Sequence, residues 1–480
     1  MRSRLSTVLQ TIGTQFAKAL EHANIVERSR LQSTLNLSWP RIVTGIARMS
    51  QQTADLAMVG TVLGPPAIAG LAFAYAYWQI GNRVSLGLSG GAISLVSQYF
   101  GADNIELANR TIGQSYVLAA VISLPLTGVY LYYSSTLVGL LGGSPEAIGY
   151  GSTYLSILAP ALFFEYCNKV ASRVFAAIGD TLTPMVIRAG GAVINIVVNV
   201  FLIFGFELGV IGAAIGTLVA TVTVTIVFLW GLLGLRYPIR QPVPIRISFT
   251  GGRIDLSLLR SLIRVSGPLM FQEVARAIVV FPLLAIAAVY GSTVVAAFEV
   301  ARRVRGLVNS PAWGFSMAAS SLVGRHLGAN EIRDATQYGI GIFRLTIVTF
   351  VLIAVVVISL SSQIANVFVD DPNSIEVTAL FIRIAAIASI GLGIDKAATG
   401  VLRGAGDTHW LFYATIVGLY LVSVPVAYIG VITPLGVSML YLALLLETFV
   451  PAAITSYRFR LGVWKTAGCS YRQQTDQPVE

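Results

Sequence analysis

Charge is scarce in this chain of 480 residues: Asp, Glu, Lys and Arg together make up 11% of it, against roughly 25% in an average soluble protein. Soluble enzymes and nucleic-acid binders recede, because so few polar groups cannot cover a soluble surface. Cysteine is nearly absent. Cys167 lies in an apolar stretch and Cys469 in the tail, which leaves neither a disulfide framework nor a cysteine metal site. The three histidines, His22, His326 and His409, are too scattered for a metal cluster, so neither a metal nor a cofactor is expected. Both H-E-x-x-H and the G-x-x-x-x-G-K-[ST] phosphate loop are missing, which removes support for a metalloprotease and for direct nucleotide hydrolysis. The first 37 residues lack an apolar core ahead of a small-residue cleavage site, so no removable signal peptide is expected.

What is abundant is apolar sequence, at 55% of residues and a mean hydropathy of +0.76. A bilayer core of about 30 Å takes about 20 apolar residues per helix, so this mass corresponds to roughly a dozen crossings. Apolar runs read against their Gly, Pro and charged interruptions predict helices near 38–60, 67–97, 112–134, 148–178, 183–205 and 209–233. Six more follow near 261–289, 294–323, 336–360, 376–405, 410–430 and 434–457. Between the sixth and seventh lies a linker rich in Pro, Gly and Arg. The expected organisation is a cytoplasmic N-terminal segment (1–37), an N-lobe (38–233), a cytoplasmic linker (234–260), a C-lobe (261–457) and a cytoplasmic tail (458–480).

The formal net charge of +10 is read as a topology signal and lipid-headgroup contact rather than a nucleic-acid footprint, because the charges sit at membrane boundaries. Alternate loops hold Glu146, Glu207, Asp370, Asp371 and Glu376 without a lysine or arginine. The opposite set carries Arg2, Arg4, Arg28, Arg30, Arg236, Arg240, Arg246, Arg253, Arg325, Arg333, Arg458, Arg460 and Lys465. Both termini are therefore expected in the cytoplasm, with the chain multiply spanning a bacterial-type inner (plasma) membrane.

The chain also repeats itself. An offset of 227 places Ser94-Leu-Val-Ser-Gln-Tyr-Phe-Gly101-Ala102 on Ser321-Leu-Val-Gly-Arg-His-Leu-Gly328-Ala329, Asn168-Lys169 on Asp395-Lys396, and Gly179-Asp180-Thr181 on Gly406-Asp407-Thr408. Ser38-Trp-Pro40 faces Ser266-Gly-Pro268 at an offset of 228. The expected fold class is an all-α polytopic membrane protein: twelve transmembrane helices in two homologous six-helix bundles, related by a pseudo-twofold axis along the membrane normal.

A charge inside hydrocarbon is expensive unless it faces water or a partner, so each intramembrane charge asks for a reason. Asp55 lies two thirds through the first helix, Glu273 in the middle of the seventh and Asp395 in the tenth. Buried carboxylates exchange protons or, close together, hold a sodium ion. The competing reading is ion pairing with a basic neighbour, Arg276 in the case of Glu273. Glu165 and Lys169 are four apart and are expected to pair, as are Glu299 and Arg302 three apart. Asn195, Asn199 and Thr217 offer neutral oxygens, although such residues more often serve helix packing. Phe73, Tyr75, Tyr77, Trp78 and Trp313 suit cation recognition, but belts and packing use aromatics more often. Gly87 and Gly91, Gly212 and Gly216, and Gly400 and Gly404 match close helix packing. Gly87-Leu-Ser-Gly-Gly91 satisfies the serine-hydrolase pattern G-x-S-x-G, yet it falls inside a helix with no histidine in reach, so no catalysis is expected there.

Asp55-Leu-Ala-Met-Val-Gly60, Ser97-Gln-Tyr-Phe-Gly-Ala102, Val323-Gly-Arg-His-Leu-Gly-Ala329 and Gly400-Val-Leu-Arg-Gly-Ala-Gly-Asp-Thr408 together resemble the multidrug and toxic compound extrusion (MATE) family of secondary transporters, over about 38–457. The resemblance implies a V-shaped pair of lobes that alternates access and expels organic cations in exchange for Na⁺ or H⁺. It places Asp55 at the family's coupling acid in the first helix. Glu273 and Asp395 fall on the acids of its sodium-driven, NorM-like branch, and Asn195 and Thr217 on an N-lobe cation site. Asn199 stands where members with that site carry an aspartate, so the N-lobe site is read as weakened, the C-lobe pair as the stronger candidate, and sodium as favoured over protons. Tyr75, Trp78, Glu165, Asn168, Glu299 and Trp313 are the candidate substrate-cavity residues. Partners are then organic cations and membrane lipids, and a monomer is expected. The alternatives are a lipid-linked oligosaccharide or lipid-precursor flippase of the same superfamily, for which Arg41, Arg48, Arg83, Arg276, Arg302 and Lys396 offer positive charge, and a membrane-embedded enzyme.

Overall fold

The computed structural model describes residues 27–235, 237, 243–248 and 254–466. His22, Cys469, Arg2, Arg4, Arg236, Arg240 and Arg253, with much of the terminal segments and of the linker, lie outside the described residues. Everything regular among the described residues is helical. Twelve long elements follow one another: α1 (Arg28–Leu63), α2 (Pro65–Gly101), α3 (Ile105–Tyr132), α4 (Pro145–Ala177), α5 (Leu182–Gly205), α6 (Gly209–Leu232), α7 (Leu256–Val289), α8 (Ser292–Gly328), α9 (Ile332–Ser359), α10 (Pro372–Gly404), α11 (His409–Ile432) and α12 (Val437–Leu461). Two short helices, Ser134–Leu140 and Ser361–Asn366, follow α3 and α9 at matching places in the repeat.

Nine of the described helices are long and apolar enough to cross a membrane. The long helices α1, α2 and α8 fall short, because they carry Arg41, Arg48 and Asp55, then Asn82 and Arg83, then Glu299, Arg302, Arg303 and Arg305. Helices α4 and α10 also carry charge inside their expected spans, at Glu165, Lys169 and Arg173 and at Arg383, Asp395, Lys396 and Arg403. Helix α5 shows how polarity is sorted here. Val186, Val193, Val197 and Phe201 are exposed, whereas Asn195 and Asn199 are wholly buried. Apolar side chains face outward and amides inward, as a lipid solvent requires. Local signals set the ends. Asn104, Ser144, Asp255 and Asp371 accept backbone N–H groups at the starts of α3, α4, α7 and α10.

The chain forms two compact units, one of residues 40–277 and one of residues 1–39 with 278–480. This division differs from the lobes read off the repeat, in which the linker separates the halves. The first part of α7 is counted with α2 to α6, and the first part of α1 with α8 to α12. Glycines account for both exchanges. In the first unit α2 presents Gly87 and Gly91, where a Cβ would run into the backbone of Leu269 and Met270 and into Ser266 on α7. In the second unit the matching Gly314 of α8 leaves room for the backbone of Ser38 on α1. Ser266 Oγ adds a hydrogen bond to Leu88 O at 3.1 Å. Helix α1 passes from one unit to the other at Pro40, which cannot donate to the carbonyl of residue 36. Helix α7 does so just before the irregular turn at Val279.

Candidate functional site

Asp55 is 1% exposed, and helices α1, α2, α5 and α6 converge on it. Asn199 Nδ2 donates to Oδ1 at 2.7 Å. The Tyr75 hydroxyl donates to Oδ2 at 3.3 Å and receives the Tyr154 hydroxyl at 3.2 Å. Asn195 lies one turn before Asn199 and completes the ring in the amide orientation that satisfies both of its ends. Its nitrogen then donates to Asp55 Oδ1 at 2.9 Å, and its oxygen accepts from Thr217 N at 3.2 Å and Oγ1 at 3.1 Å. Every donor is neutral, and no lysine or arginine among the described residues reaches Asp55. Asn199 Oδ1 is buried without a hydrogen-bond partner. Gly216 of α6 gives that oxygen its space, because a Cβ there would overlap it. The amide at position 199 therefore supplies a bare acceptor oxygen beside an ionisable carboxylate.

Of the residues expected as cation-coupling, Asp55, Asn195, Asn199 and Thr217 are brought together; Tyr75, expected in the substrate cavity, and Tyr154, unforeseen, join them. Nothing in its own segment marks Tyr154. Its part follows from the tilted contact of its ring with Tyr75, centroids 5.6 Å apart. Trp78, one turn beyond Tyr75, is 6% exposed.

The other two acids are held differently. Glu273 Oε2 is 3.2 Å from Arg83 Nη1 on α2, an ion pair spanning 190 residues of sequence. Asp395 is buried and accepts from the hydroxyls of Thr399 and Thr455, each at 3.4 Å. Glu273 belongs to the first compact unit and Asp395 to the second, so the two acids expected as a pair within one lobe fall in different units. Trp313 takes the ammonium of Lys396, 4.7 Å from its ring centroid, so the face expected to meet substrate meets the chain's own cation.

Glu165 pairs with Lys169 at 2.8 Å, as the spacing of four predicts, and also with Arg188 of α5 at 3.5 Å. Asn168 ties α4 to α6 by donating to Thr221 O at 3.0 Å. Glu299 and Arg302 pair at 3.2 Å, as expected, on a half-exposed face. Ser89 of the G-x-S-x-G pattern sits inside α2 and donates to Leu86 O at 3.1 Å, leaving no elbow and no nucleophile.

Curated relatives cover nearly the whole chain. A probable multidrug resistance protein NorM of Bradyrhizobium diazoefficiens is 26% identical over 441 residues, covering 89% of this chain and 92% of that protein. The human multidrug and toxin extrusion protein 1 is 24% identical, covering 81% of this chain and 67% of its own length. Among solved structures, an outward-facing multidrug resistance MATE family transporter superposes with a TM-score of 0.82 at 20% identity, over 90% of this chain and 96% of that one. That likeness establishes the twelve-helix fold. The profile described as MatE matches residues 40–201 and again 268–429, once per repeat and at the same offset of 228 that aligns Pro40 with Pro268. Matched twice over and across more than half its length, the chain belongs to the MatE family.

Proposed function

We propose that the protein is a secondary efflux transporter that exports organic cations in exchange for Na⁺ or H⁺ by alternating access. The observation that carries this reading is the Asp55 site: a buried carboxylate held by neutral donors, with an unpartnered amide oxygen beside it. A carboxylate locked to an arginine must break an ion pair before it can take another cation. Asp55 has none to break, so an entering ion gains the full negative charge. Carboxylate, amide and hydroxyl oxygens are the hard ligands that an alkali ion prefers. The names of the relatives, multidrug resistance and toxin extrusion, support the cargo class.

In this reading Asp55, Asn195, Asn199 and Thr217 form the coupling site, and Asp395, which accepts from the hydroxyls of Thr399 and Thr455, is a second buried acid of the mechanism. Glu273, already paired, sets the position of Arg83. Ion and cargo compete for the same negative charge, which makes their binding mutually exclusive and their transport obligatorily exchanged. Sodium is the favoured coupling ion, because Asn199 offers an oxygen but no proton to exchange. The protein works as a monomer in the cell's inner membrane with both termini in the cytoplasm, as the distribution of arginine supports.

Ethidium efflux from proteoliposomes under separately imposed sodium and proton gradients tests this. We expect gradient-driven efflux in the native protein, and its loss by about 100-fold or more in Asp55→Asn, a variant that keeps size and hydrogen bonding but removes the charge. Undiminished gradient-driven efflux in that variant removes Asp55 from the coupling. Absence of efflux under both gradients in the native protein overturns the export reading.

A further inference from the structure

We propose that Arg41, Arg48, Lys169 and Arg188, gathered around Glu165, form a site for a phosphate group carried on an apolar tail. The site lies in the unit of residues 40–277 and is independent of the cation-export reading. Arg41 and Arg48 are seven residues apart on α1, which puts them on one face, about 10 Å apart along the axis. Arg48 acts electrostatically on Glu165, Lys169 and Arg188, and Arg41 on Glu165 and Arg188. The single carboxylate in reach is already engaged by Lys169 at 2.8 Å and Arg188 at 3.5 Å.

Four basic side chains thus share one acid, which leaves positive charge in excess. Lys169 is 6% and Glu165 8% exposed. Neither Arg41 nor Arg48 makes a hydrogen bond or ion pair among the described residues, and Arg188 Nη2 is buried without a partner. Such an arrangement at membrane depth is costly unless an anion completes it. A carboxylate or halide brings a single negative charge. A phosphomonoester, with about −1.5 to −2, comes closest to balance, and its oxygens match the planar forks of three arginines. The outward residues of the same stretch of α1, Val43, Ile46 and Met49, are exposed and apolar, which suits a ligand with an apolar tail.

Native mass spectrometry of the full chain, purified in a maltoside detergent and mixed with phosphatidic acid, phosphatidylcholine or inorganic pyrophosphate, tests the site. We expect one phosphatidic acid to be retained about tenfold or more over phosphatidylcholine. Arg48→Gln and Arg188→Gln should each lower that preference about tenfold, the worth of one charge-assisted hydrogen bond. Arg48→Lys should keep part of it, Glu165→Gln should raise it, and the exposed Arg333→Gln should leave it unchanged. Retention of pyrophosphate without phosphatidic acid overturns the apolar-tail part of the proposal and assigns the phosphate to the aqueous phase. No preference in the native protein for either phosphate ligand overturns the proposal, whatever the variants do, and so does a preference that both arginine variants keep.

Discussion

At the scale of single residues, the Asp55 site turns on an amide and on a missing methyl. Gly216→Ala introduces a Cβ where Asn199 Oδ1 stands, so the amide must swing and its hydrogen bond to Asp55 must lengthen or break. We expect the apparent affinity for the coupling cation to fall about tenfold, read from the sodium or pH dependence of efflux, with transport at saturating ion retained. An unchanged titration would show that the Asn199 oxygen is no ligand. Asn199→Asp sets a second carboxylate within hydrogen-bond reach of the first. Two such groups cannot both ionise freely, so we expect efflux to become more strongly dependent on the proton gradient than in the native protein. The sequence named Asp55, Asn195, Asn199 and Thr217, and read position 199 only as a missing acid. Counting acids predicts a weakened site, and only the three-dimensional placement of an orphaned oxygen shows what the amide contributes. Glu273 was legible as a buried acid, yet its partner Arg83 lies 190 residues away in sequence, beyond any local spacing rule.

At the scale of elements, the start of α7 shows how one side chain serves two ends. Asp255 accepts from the backbone N–H of Ser257 and of Leu258 and from the Ser257 hydroxyl, and it pairs with Arg110 of α3. Partial burial alone would raise its pKa. The hydrogen bonds from Ser257 and Leu258 and the Arg110 guanidinium outweigh that and hold it below the usual carboxylate range. Its stabilisation is therefore present above the unfolded value of about 3.9 and is lost as pH falls through the folded one. We expect Asp255→Ala to cost about 1–2 kcal/mol at neutral pH, from the cap and a part-exposed ion pair. The difference from the native protein in thermal unfolding should shrink once the pH drops below about 4. A gap that stays constant as the pH is taken well below that value would exclude the charge as its cause. Gly87→Val should lower thermal stability by about 1–3 kcal/mol by forcing α2 away from α7, whereas the same change at Gly128, which has nothing within 4 Å, should not. Helix ends were legible to within a few residues nearly everywhere, because Pro, Gly and capping residues mark them locally. The exceptions are α3, which begins at Ile105 rather than near 112, and α1, which begins ten residues before the expected 38. Its early turns carry Arg28 and Arg30 and read as polar tail, but Leu31 and Leu37 are buried and Arg30 pairs with Asp334 at 3.0 Å.

At the scale of the whole molecule, the sequence repeat foretold two six-helix sets but not which residues make each compact unit, since that depends on contacts between segments far apart in sequence. The exchange of the leading parts of α1 and α7 bears on how such a chain can be divided. A fragment ending before residue 254 leaves Gly87 and Gly91 facing an empty groove, and its counterpart leaves Gly314 without Ser38. We expect each fragment alone to be degraded or to aggregate, and the two produced together to recover efflux; a well-behaved single fragment would disprove the dependence. Either repeat made as a separate chain with this glycine pattern would have to receive the opening helix segment of the other before its own close helix contact could form.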